Sequence, residues 1–484
     1  MFTTYNIWIN VVLIKIILIL YQLKQNTMRL KLTTLSACLL LGSNAFAQEM
    51  NGFRTDNYNG VNGAFFNPAN LGNSPYKLDI GLFGMNIFAG NKNMDFSFGT
   101  MSDIGGDDVL NNLLGKGSAN SILVNVAFHL PSISYRINEK TTVALVTRSR
   151  ILFNVHDFDG TLLSSITDST NELALPYSLN SNQNMRISTN IFSEYGVSGG
   201  HVVYNEGNHF VKVGATLKYL SGVANAYLQL DKVNATLDSN GNSVVATKAS
   251  GTVAMGAAGI DVDDPQFSLG GSAAGFGADL GAVYEFRTDE LKDESIPYLF
   301  KGSVSLLDIG SIKYDVIANQ TAGYTVNIPA GQYFDMSEFD GDTKKTFDNN
   351  PQYFTKKAAA SSYRVALPHT LQIGGDYRAL KGVYVAANLQ LAMNNNETKA
   401  YNPRAVNAIT ITPRYESKLL AAYLPINYSN LSKMNIGFGF RAGPLYAGSS
   451  SLVSMMISKS KQMDFYFGFR VGFKTKQNKE TKES

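Results

Sequence analysis

The stretch Phe465–Phe473, FYFGFRVGF, alternates between two kinds of side chain at every step. One face of an extended chain would carry Phe465, Phe467, Phe469, Val471 and Phe473, and the other Tyr466, Gly468, Arg470 and Gly472. Successive side chains of a β-strand point to opposite faces, so the pattern predicts a strand with one apolar face. A charge that faces lipid near mid-bilayer costs ~2–4 kcal/mol, so Arg470 is expected to face a polar lumen.

The same alternation recurs in long segments along the chain. Twelve strands are predicted, near 76–88, 121–137, 142–155, 186–204, 209–222, 275–287, 298–314, 363–378, 382–394, 407–419, 432–445 and 462–473. Each is longer than the ~5–6 residues of a globular strand and long enough for the ~9–11 that cross a bilayer at a tilt. The apolar face switches at Pro131, which predicts a bulge or bend. A further apolar hairpin candidate that includes Val244–Ala257 makes fourteen strands equally tenable.

Connections between these strands alternate between short and long. A β-sandwich shows the same alternation of side chains, so periodicity alone leaves both folds open. The short polar connections are Asn138–Thr141, Asn205–Asn208 and Ala379–Lys381, and the long ones are 89–120, 156–185, 223–274 and 315–362. Short periplasmic turns and long external loops are typical of outer-membrane barrels. We therefore predict an all-β chain with a single antiparallel transmembrane β-barrel of 12–14 strands over residues 76–473.

The composition fits such a barrel and excludes other classes of protein. Charged residues make up 16% of the chain, against ~25% in soluble globular proteins, beside 28 Phe, 25 Tyr and 43 Gly. A mean hydropathy of −0.07 excludes a bundle of transmembrane helices. A hydrophobic content of 44% with a net charge of +3 excludes a disordered chain. Four basic residues lie within the first 47, so the remainder is nearly neutral and no nucleic-acid partner is expected.

Residues 1–47 are predicted to be a leader. Met28–Lys31 is a short basic region, Leu35–Leu41 is apolar, and Ala45–Ala47 satisfies the small-x-small rule for cleavage. Residues 28–47 are therefore interpreted as a signal peptide that is cleaved before Gln48, which implies export to the outer membrane of a Gram-negative cell. Residues 1–27 are interpreted as an upstream mis-start, with Met28 as the true start.

Two alternative interpretations of the leader fit the sequence less well. Leu35–Cys38 matches a lipoprotein box, but the apolar run continues past the cysteine, where a lipoprotein should turn polar. Ile7–Leu23 is a short membrane-anchor candidate, but Lys15 near its middle costs roughly 2.5–3.5 kcal/mol. Because Cys38 is the only cysteine, a mature chain without it can form neither a disulfide nor a thiolate metal site.

The stretch Gly60–Leu71, GVNGAFFNPANL, carries a family resemblance. It resembles the NPA segment of the FadL-type long-chain fatty-acid transporters, the FadL and TodX superfamily. It resembles still more an uncharacterised group of Bacteroidota outer-membrane proteins with a domain of unknown function. Other stretches similar to that group are Tyr76–Asn86, Leu306–Gly310, Leu367–Ala379 and Ile436–Ser449.

The resemblance implies a fourteen-stranded barrel whose N-terminal segment plugs the lumen and gates the diffusion of hydrophobic molecules. Only Asn67, Pro68 and Ala69 match the plug motif residue by residue, and the hydrophobic ligand pocket does not carry over. We accordingly predict a short N-terminal lumenal segment, plug-like, over residues 48–75. Pro fixes φ near −65° and Asn hydrogen-bonds its own backbone, so the pair suits a tight turn. The alternative is a simple turn that leads into the first strand.

Charged residues on the polar faces of the predicted strands are expected to point into the lumen. These residues are Arg148, Arg150, Asp279, Glu285, Asp376, Arg378, Arg441 and Arg470. Their mixed signs favour a network that fills the lumen or holds the plug, because balanced opposite charges would close a channel. The alternative is a polar path for a substrate.

Signals of catalysis and metal binding are weak. Gly196–Gly200 spells G-x-S-x-G, but a nucleophile elbow needs a strand-to-helix turn, and here the predicted strand continues. Asp157–Gly160 and Asp340–Asp342 suggest Ca²⁺ loops but lack the glutamate of an EF-hand. A third acidic group consists of Asp261, Asp263 and Asp264, and it would hold a divalent ion only loosely. No enzymatic activity, metal or cofactor is predicted.

The predicted last strand ends in Phe473 and resembles the assembly signal of outer-membrane barrels. That resemblance implies the barrel-assembly machinery as a partner, beside the outer-membrane lipids. Unlike that signal, the strand is followed by a Lys-rich tail, Lys474–Ser484, which is predicted to be disordered and periplasmic.

Two functions from different classes follow. The first is passive transport of a small hydrophobic compound through the plugged lumen. The second is a structural or scaffold barrel that serves secretion or surface assembly through its external loops. An apolar cavity joined to a lateral opening would favour transport, and a lumen blocked by side chains, with ordered external loops, would favour the scaffold. A membrane-embedded hydrolase ranks third.

Overall fold

The computed structural model of the protein describes residues 49–93, 95–97, 120–161, 174–181, 183–259, 273–292, 294–339, 343–393 and 399–474. The predicted leader, the acidic groups 261–264 and 340–342, and all but the first residue of the predicted tail lie outside these ranges. Within the described ranges, no helix combines the length and the apolar character that crossing a membrane requires.

The described strands all belong to one antiparallel sheet. They are β1 (Leu78–Asn91), β2 (Asn120–His129), β3 (Ser132–Arg136), β4 (Thr141–Phe158), β5 (Tyr177–Asn180), β6 (Asn184–Glu206), β7 (His209–Ser239), β8 (Val244–Ala258), β9 (Ala273–Phe286), β10 (Phe300–Asp315), β11 (Ala322–Asn327), β12 (Tyr333–Asp335), β13 (Phe354–Lys357), β14 (Ser362–Ala366), β15 (Thr370–Leu380), β16 (Val383–Ala392), β17 (Ala408–Glu416), β18 (Leu420–Tyr423), β19 (Ile426–Ser429), β20 (Lys433–Ile436), β21 (Phe438–Ala442), β22 (Leu445–Ser449) and β23 (Gln462–Phe473). Two short helices accompany them, α1 (Thr343–Asn349) and α2 (Leu452–Ile457). Short 3₁₀ helices lie at Phe53–Thr55, Gly60–Phe65, Pro68–Leu71, Asp289–Leu291 and Met336–Glu338.

The sheet closes on itself because the first strand pairs with the last. Leu78 of β1 lies opposite Phe473 of β23, and the pairing continues to Gly90 opposite Gln462. Around the wall the order is β1, β2 with β3, β4, β6, β7, β9, β10, β14 with β15, β16, β17, β18 with β19, β20 with β21, β22 and β23. The described residues therefore form a closed antiparallel β-barrel of fourteen strands.

The number fourteen agrees with one of the two predicted counts, but the additional strands are not where the sequence suggested. They are β18 with β19, and β22. Pro425 interrupts the first of these, and the second has only five residues, so neither shows a long alternation. Val244–Ala257 does lie in a strand, β8, but this strand pairs with the outer half of β7, where Leu228 lies opposite Met255. The wall strand on that side of β7 is β9.

The long strand β7 extends the sheet beyond the wall. We call this extension the outer sheet, and it consists of β7 from Asn225 onward with β5, β8, β11, β12 and β13. Its apolar core includes Phe158, Tyr324, Phe334 and Phe354, together with Phe347 of α1. The expectation of loops over 223–274 and 315–362 is therefore wrong for most of their described length, because their apolar residues form a core of their own.

The outward face of the wall is apolar, as contact with lipid requires. Leu217 and Phe276 are 71% and 77% exposed, and Phe473, at the closure of the barrel, is 50% exposed. At one end, the connections from β3 to β4, β6 to β7 and β15 to β16 span at most four residues, as predicted. The predicted bend at Pro131 lies between β2 and β3.

Candidate functional site

Residues 49–74, which we call the lumenal segment, run through the interior of the barrel. Phe53 and Val61 of this segment are fully buried and share one apolar core with wall residues such as Val146 and Tyr446. The ring of Phe53 stacks on that of Tyr446, with 3.9 Å between the centroids. The lumenal segment therefore packs against the wall with its own side chains.

The motif Asn67-Pro68-Ala69 forms a capped turn against the wall. Asn67 is extended, its Oδ1 accepts a hydrogen bond from the Ala69 N–H at 2.9 Å, and Pro68 begins the 3₁₀ helix. Asn67 Nδ2 donates to the carbonyl oxygens of Val304 and Ala282, at 3.1 and 3.3 Å. The local cap follows from the chemistry of Asn and Pro at a helix start. The same side chain also joins the lumenal segment to two wall strands.

Three glycines of the wall make room for this turn. Gly200, Gly214 and Gly281 lie opposite one another on β6, β7 and β9, and we call them the glycine row. A Cβ on Gly214 would overlap the backbone of Pro68, and a Cβ on Gly281 would overlap Asn67 Oδ1. The backbone of the lumenal segment approaches the wall so closely that only glycine fits at these positions.

The G-x-S-x-G stretch Gly196–Gly200 lies within β6, which continues to Glu206. Ser198 Oγ is 2.8 Å from Thr216 Oγ1 on the neighbouring strand. The last glycine of the stretch belongs to the glycine row, where an added Cβ would lie 2.9 Å from Leu71 Cβ. The stretch therefore takes part in packing the lumenal segment, and it lacks the strand-to-helix turn of a nucleophile elbow.

A group of buried charges, which we call the central ion cluster, lies beside the turn at Asn67-Pro68-Ala69. It contains Glu49 of the lumenal segment and, from five wall strands, Arg148, Arg150, Glu194, Lys218, Asp279 and Asp308. Lys218 Nζ lies 2.8 Å from both Asp279 and Asp308. Arg148 bridges Glu49, at 2.7 Å, and Glu194, at 3.0 Å. Several members have more than one counter-charge, so removing one charge would leave its buried partners less fully compensated, which is unfavourable.

Further polar contacts hold the first half of the lumenal segment. Asp56 accepts a hydrogen bond from Arg441 Nε at 2.7 Å. The Val61 N–H donates to Asp79 Oδ1 at 2.8 Å, and Asp79 also pairs with Arg470. These contacts fix the lumenal segment to strands on the opposite side of the wall from the glycine row.

All eight charges that the sequence placed in the lumen are buried. Asp376 pairs with Arg414 at 2.8 Å, and Glu285 lies 3.4 Å from Lys212. Arg378 lies apart from the others, at the end with the short turns, where it donates to a backbone carbonyl. The structure thus brings Arg148, Arg150 and Asp279 into one cluster and distributes the remainder among separate pairs.

Sequence reasoning missed several partners of these charges, including Glu194, Lys218, Asp308 and Arg414. A signal for Lys218 was available, because it follows Thr216 by two residues on the polar face of a predicted strand. No such signal existed for Asp308, which lies at a bulge of β10 with φ +60°. A bulge breaks the alternation on which the prediction of facing depends.

A cavity of about 70 Å³ lies between the lumenal segment and residues 404–406. Its lining combines Phe65, Phe66 and Leu152 with the charged side chains of Arg54 and Asp308. Typical sites for small molecules enclose ~300–1,000 Å³ and are mostly apolar. This cavity is smaller and more polar than such a site.

Metal ligands are not grouped in the described part of the chain, where no three His, Cys, Asp or Glu side chains could hold an ion together. Asp157, in one of the two acidic stretches, lies 3.7 Å from Lys92 and 3.1 Å from the ring of His156. These two described contacts of Asp157 are both with basic side chains.

Comparison with known proteins gives a family and a set of similar folds. A family model described as "Family of unknown function (DUF5723)" matches residues 68–450. A search of curated proteins gives no match. Similar solved structures include the toluene transporter TbuX of Ralstonia pickettii, with 12% identity over 85% of this chain and 93% of that chain, at a TM-score of 0.40. A FadL homologue of Pseudomonas aeruginosa has 9% identity over 88% of this chain and 99% of that chain, at a TM-score of 0.41. The toluene transporter TodX of Pseudomonas putida has 11% identity over 88% of this chain and 98% of that chain, at a TM-score of 0.40.

Proposed function

This chain belongs to the DUF5723 family of unknown function, and we propose from its geometry that it is a closed outer-membrane β-barrel that acts as a scaffold at the cell surface. The proposal includes export with removal of the leader before Gln48 and insertion into the outer membrane. The observation that carries it is the filled lumen, which the lumenal segment and the central ion cluster occupy together.

The chemistry of the lumen disfavours passage of a hydrophobic compound. Lys218 and Glu194 are 5% and 3% exposed, and they lie 3.3 Å apart among further ionised partners. A solute that separated such a pair would leave buried charges uncompensated, at a cost of ~3–5 kcal/mol for each broken pair. An apolar solute offers no hydrogen bonds to offset that cost.

The outer sheet supports the scaffold function. The rings of Phe347 and Phe354 stack in its core with 4.1 Å between centroids, and Phe334 packs edge-on against Phe354 at 5.1 Å. The strand β7 passes from the wall into the outer sheet, so backbone hydrogen bonds anchor that sheet to the membrane-embedded barrel. A rigid sheet held in this way suits the binding of an exported protein or of a neighbouring surface protein.

Flux measurements on reconstituted liposomes test closure. The mature protein, beginning at Gln48, is expected to pass small solutes at the rate of protein-free liposomes. A variant that lacks residues 48–72 is expected to raise the flux, because its lumen loses the side chains that fill it. That variant shows that the barrel is inserted and can conduct. Flux through the wild-type protein well above background would contradict the proposal.

Cross-linking in whole cells tests the scaffold. A photoreactive residue at Tyr333, which is 55% exposed in the outer sheet, should form adducts with protein. The same residue at the lipid-facing position Leu217 is the matched control and should form adducts with lipid alone. Equal protein labelling at the two positions, or none at Tyr333, would argue against a surface scaffold.

Passive transport of a small hydrophobic compound is the second candidate. The observation in its favour is that the lumenal segment folds into 3₁₀ helices and is held by side-chain contacts rather than as a strand of the sheet. Such a segment can leave the lumen without breaking the barrel wall. An apolar solute that crosses liposomes with the wild-type protein faster than protein-free liposomes, with no such increase for a polar solute of equal size, would favour this function.

A further inference from the structure

Cationic side chains outnumber carboxylates in the lining of the cavity beside the lumenal segment. Four arginines contribute to its lining: Arg54, Arg148, Arg150 and Arg404. The carboxylates in the lining are Glu49 and Asp308. Arginine is charged at all physiological pH values, so four cations face two carboxylates in the lining, and Glu194 outside the lining also pairs with Arg148 and Arg150.

Among the arginines of the lumenal segment and β4, Arg54 has the fewest ion-pair partners to compensate its charge. Its guanidinium donates to Gln372 Oε1 at 3.2 Å and lies 5.4 Å from the centroid of the Phe66 ring. Arg148 and Arg150, by comparison, each pair with two or more carboxylates of the central ion cluster. The carboxylate of Glu49 also acts on the charge of Arg54 through space. Because Gln372 is the hydrogen-bond partner described for it, the guanidinium keeps donors for an anion.

Two further donors belong to arginines of the lining. The Nε–H groups of Arg148 and Arg150 are buried and have no hydrogen-bond partner among the described residues. Buried polar groups in native proteins are nearly always paired, with protein or with a bound species. Both side chains therefore have capacity for an additional acceptor beside the carboxylates they already hold.

A segment of the external connection between β16 and β17 covers the cavity. The Arg404 N–H donates to Asn154 Oδ1 at 3.2 Å, and the Val406 carbonyl accepts a hydrogen bond from Gln390 Nε2 at 2.9 Å. These contacts hold residues 404–406 over the barrel interior. A group bound beneath them would be shielded from bulk water. Hydrogen bonds between ions are stronger in such a shielded environment than in water.

We propose that this cavity binds a small oxyanion, which is a carboxylate, phosphate or sulfate group held by Arg54 and the arginines of β4. Planar guanidinium groups match the paired oxygens of these anions. A volume of about 70 Å³ suits such a compact group and excludes a long acyl chain. The bound anion would join the lumenal segment to the wall and so strengthen closure. The inference holds whether the barrel is a scaffold or a gated pore.

Titration calorimetry on the purified mature protein in detergent micelles tests the site. The probes are potassium phosphate, sulfate and succinate, each compared with chloride at equal ionic strength. At least one oxyanion is expected to bind saturably. Binding of phosphate or sulfate would identify a free inorganic anion as the ligand, and binding of succinate alone would identify an organic acid.

Substitution of Arg54 locates the binding. Arg54→Gln should weaken the affinity about tenfold or more, the effect of losing a hydrogen bond to a charged group. Arg364→Gln, which removes an exposed arginine of β14, should change it less than about twofold. Failure of all three oxyanions to bind the wild-type protein, or equal affinity in Arg54→Gln, would overturn the proposal.

A second variant keeps the test decisive if Arg54→Gln does not yield a folded barrel. Arg54→Lys retains the charge and loses the bidentate geometry, so its affinity should fall between those of wild type and of a variant without the charge. Wild-type affinity in a folded Arg54→Lys protein would overturn the assignment of Arg54 as a bidentate ligand.

Discussion

The side-chain oxygen of Asn67 lies directly against the backbone of Gly281, where a single added methyl group would overlap it. The amide nitrogen of the same Asn67 donates to the carbonyl oxygen of Ala282, the next residue on that strand, at 3.3 Å. The cap of the lumenal turn and a glycine of the wall therefore form one contact. A side chain between them would separate the amide from the wall carbonyl that it binds.

Gly281→Ala is expected to lift the lumenal turn away from the wall. Overpacking of this kind costs ~1–3 kcal/mol, and the hydrogen bonds between Asn67 and the wall are lost with it. Limited proteolysis of the folded barrel, followed by mass analysis, should show faster cleavage within residues 49–74 than in the wild-type protein.

Gly199→Ala is the matched control for this prediction. Gly199 precedes a member of the glycine row on β6, and the position of its Cβ has nothing within 4 Å. Cleavage should therefore stay at the wild-type rate. Equal rates in the Gly199 and Gly281 variants would show that the contact with Asn67 does not position the lumenal segment.

Asn67→Asp separates the two roles of the asparagine. The carboxylate keeps the acceptor for the Ala69 N–H, but it replaces the donor that faces the carbonyls of Val304 and Ala282. Asn67→Ala loses the cap as well, at ~1 kcal/mol. Because a buried carboxylate beside two carbonyl oxygens adds repulsion, Asn67→Asp should expose the lumenal segment to protease more than Asn67→Ala. The reverse order would mean that the cap outweighs the contact with the wall.

Much of the barrel could be predicted because its strands obey a period of two. The lipid on one side and the polar lumen on the other force apolar and polar residues to alternate, and this pattern places Phe473 outside and Arg470 inside. The same reasoning failed where the alternation is interrupted. Pro425 divides one wall strand into two short pieces, and the bulge at Asp308 hides a member of the central ion cluster.

The contact between Asn67 and the glycine row could not be read from the sequence. The motif identifies a turn, but nothing local to it indicates which of the 43 glycines face it. Gly200 and Gly214 become neighbours through the register of the hairpin of β6 and β7, and Gly281 joins them through the pairing of β7 with β9, which lies further along the chain. Pairing register is a tertiary property, and a shift of one residue in any of these strands would turn its glycine outward.

Lys218→Met is expected to destabilise the whole barrel. The substitution leaves Asp279, Asp308 and Glu194 without the cation that lies within 3.3 Å of each. Removing one partner of a buried ion pair costs ~3–5 kcal/mol, so the urea concentration at the midpoint of unfolding should fall clearly. The double variant Lys218→Met with Asp279→Asn should recover part of the loss, because one carboxylate charge is removed with the cation. A single variant with the wild-type midpoint would refute this role of Lys218.

Phe473→Asp should impair insertion of the barrel. Phe473 is half exposed on the outward face and pairs with Leu78 where the barrel closes, so a carboxylate there would enter or border the lipid. Deletion of the tail, residues 474–484, is the control and should matter less. The fraction of heat-modifiable, protease-resistant protein in outer membranes measures both. Loss of that fraction on removing the tail, with Phe473→Asp unaffected, would contradict the assignment of the last strand.

Asp348 of α1 should make the outer sheet sensitive to acid. Its carboxylate accepts hydrogen bonds from Lys356 at 2.8 Å, Lys344 at 3.1 Å and Tyr324 at 2.9 Å. Partial burial works to raise the pKa of Asp348, but these hydrogen bonds outweigh it and lower the pKa from 3.8 to about 2. The folded-state pKa lies below the unfolded-state value, so the carboxylate stabilises the fold above about pH 4. This contribution is lost as the pH falls through about 2.

Digestion with pepsin between pH 4 and pH 2 measures this loss, scored as cleavage within residues 343–357. At each pH, the cleavage rate of the wild-type protein is divided by the cleavage rate of Asp348→Asn. The asparagine cannot ionise, so this variant lacks the stabilisation by the carboxylate at every pH. The ratio should be well below one at pH 4 and approach one at pH 2. Asp315→Asn is the control, because the Asp315 side chain is 86% exposed, and its ratio to wild type should not change with pH. A ratio for Asp348→Asn that stays constant over this range would show that the three hydrogen bonds do not couple protonation to the stability of the outer sheet.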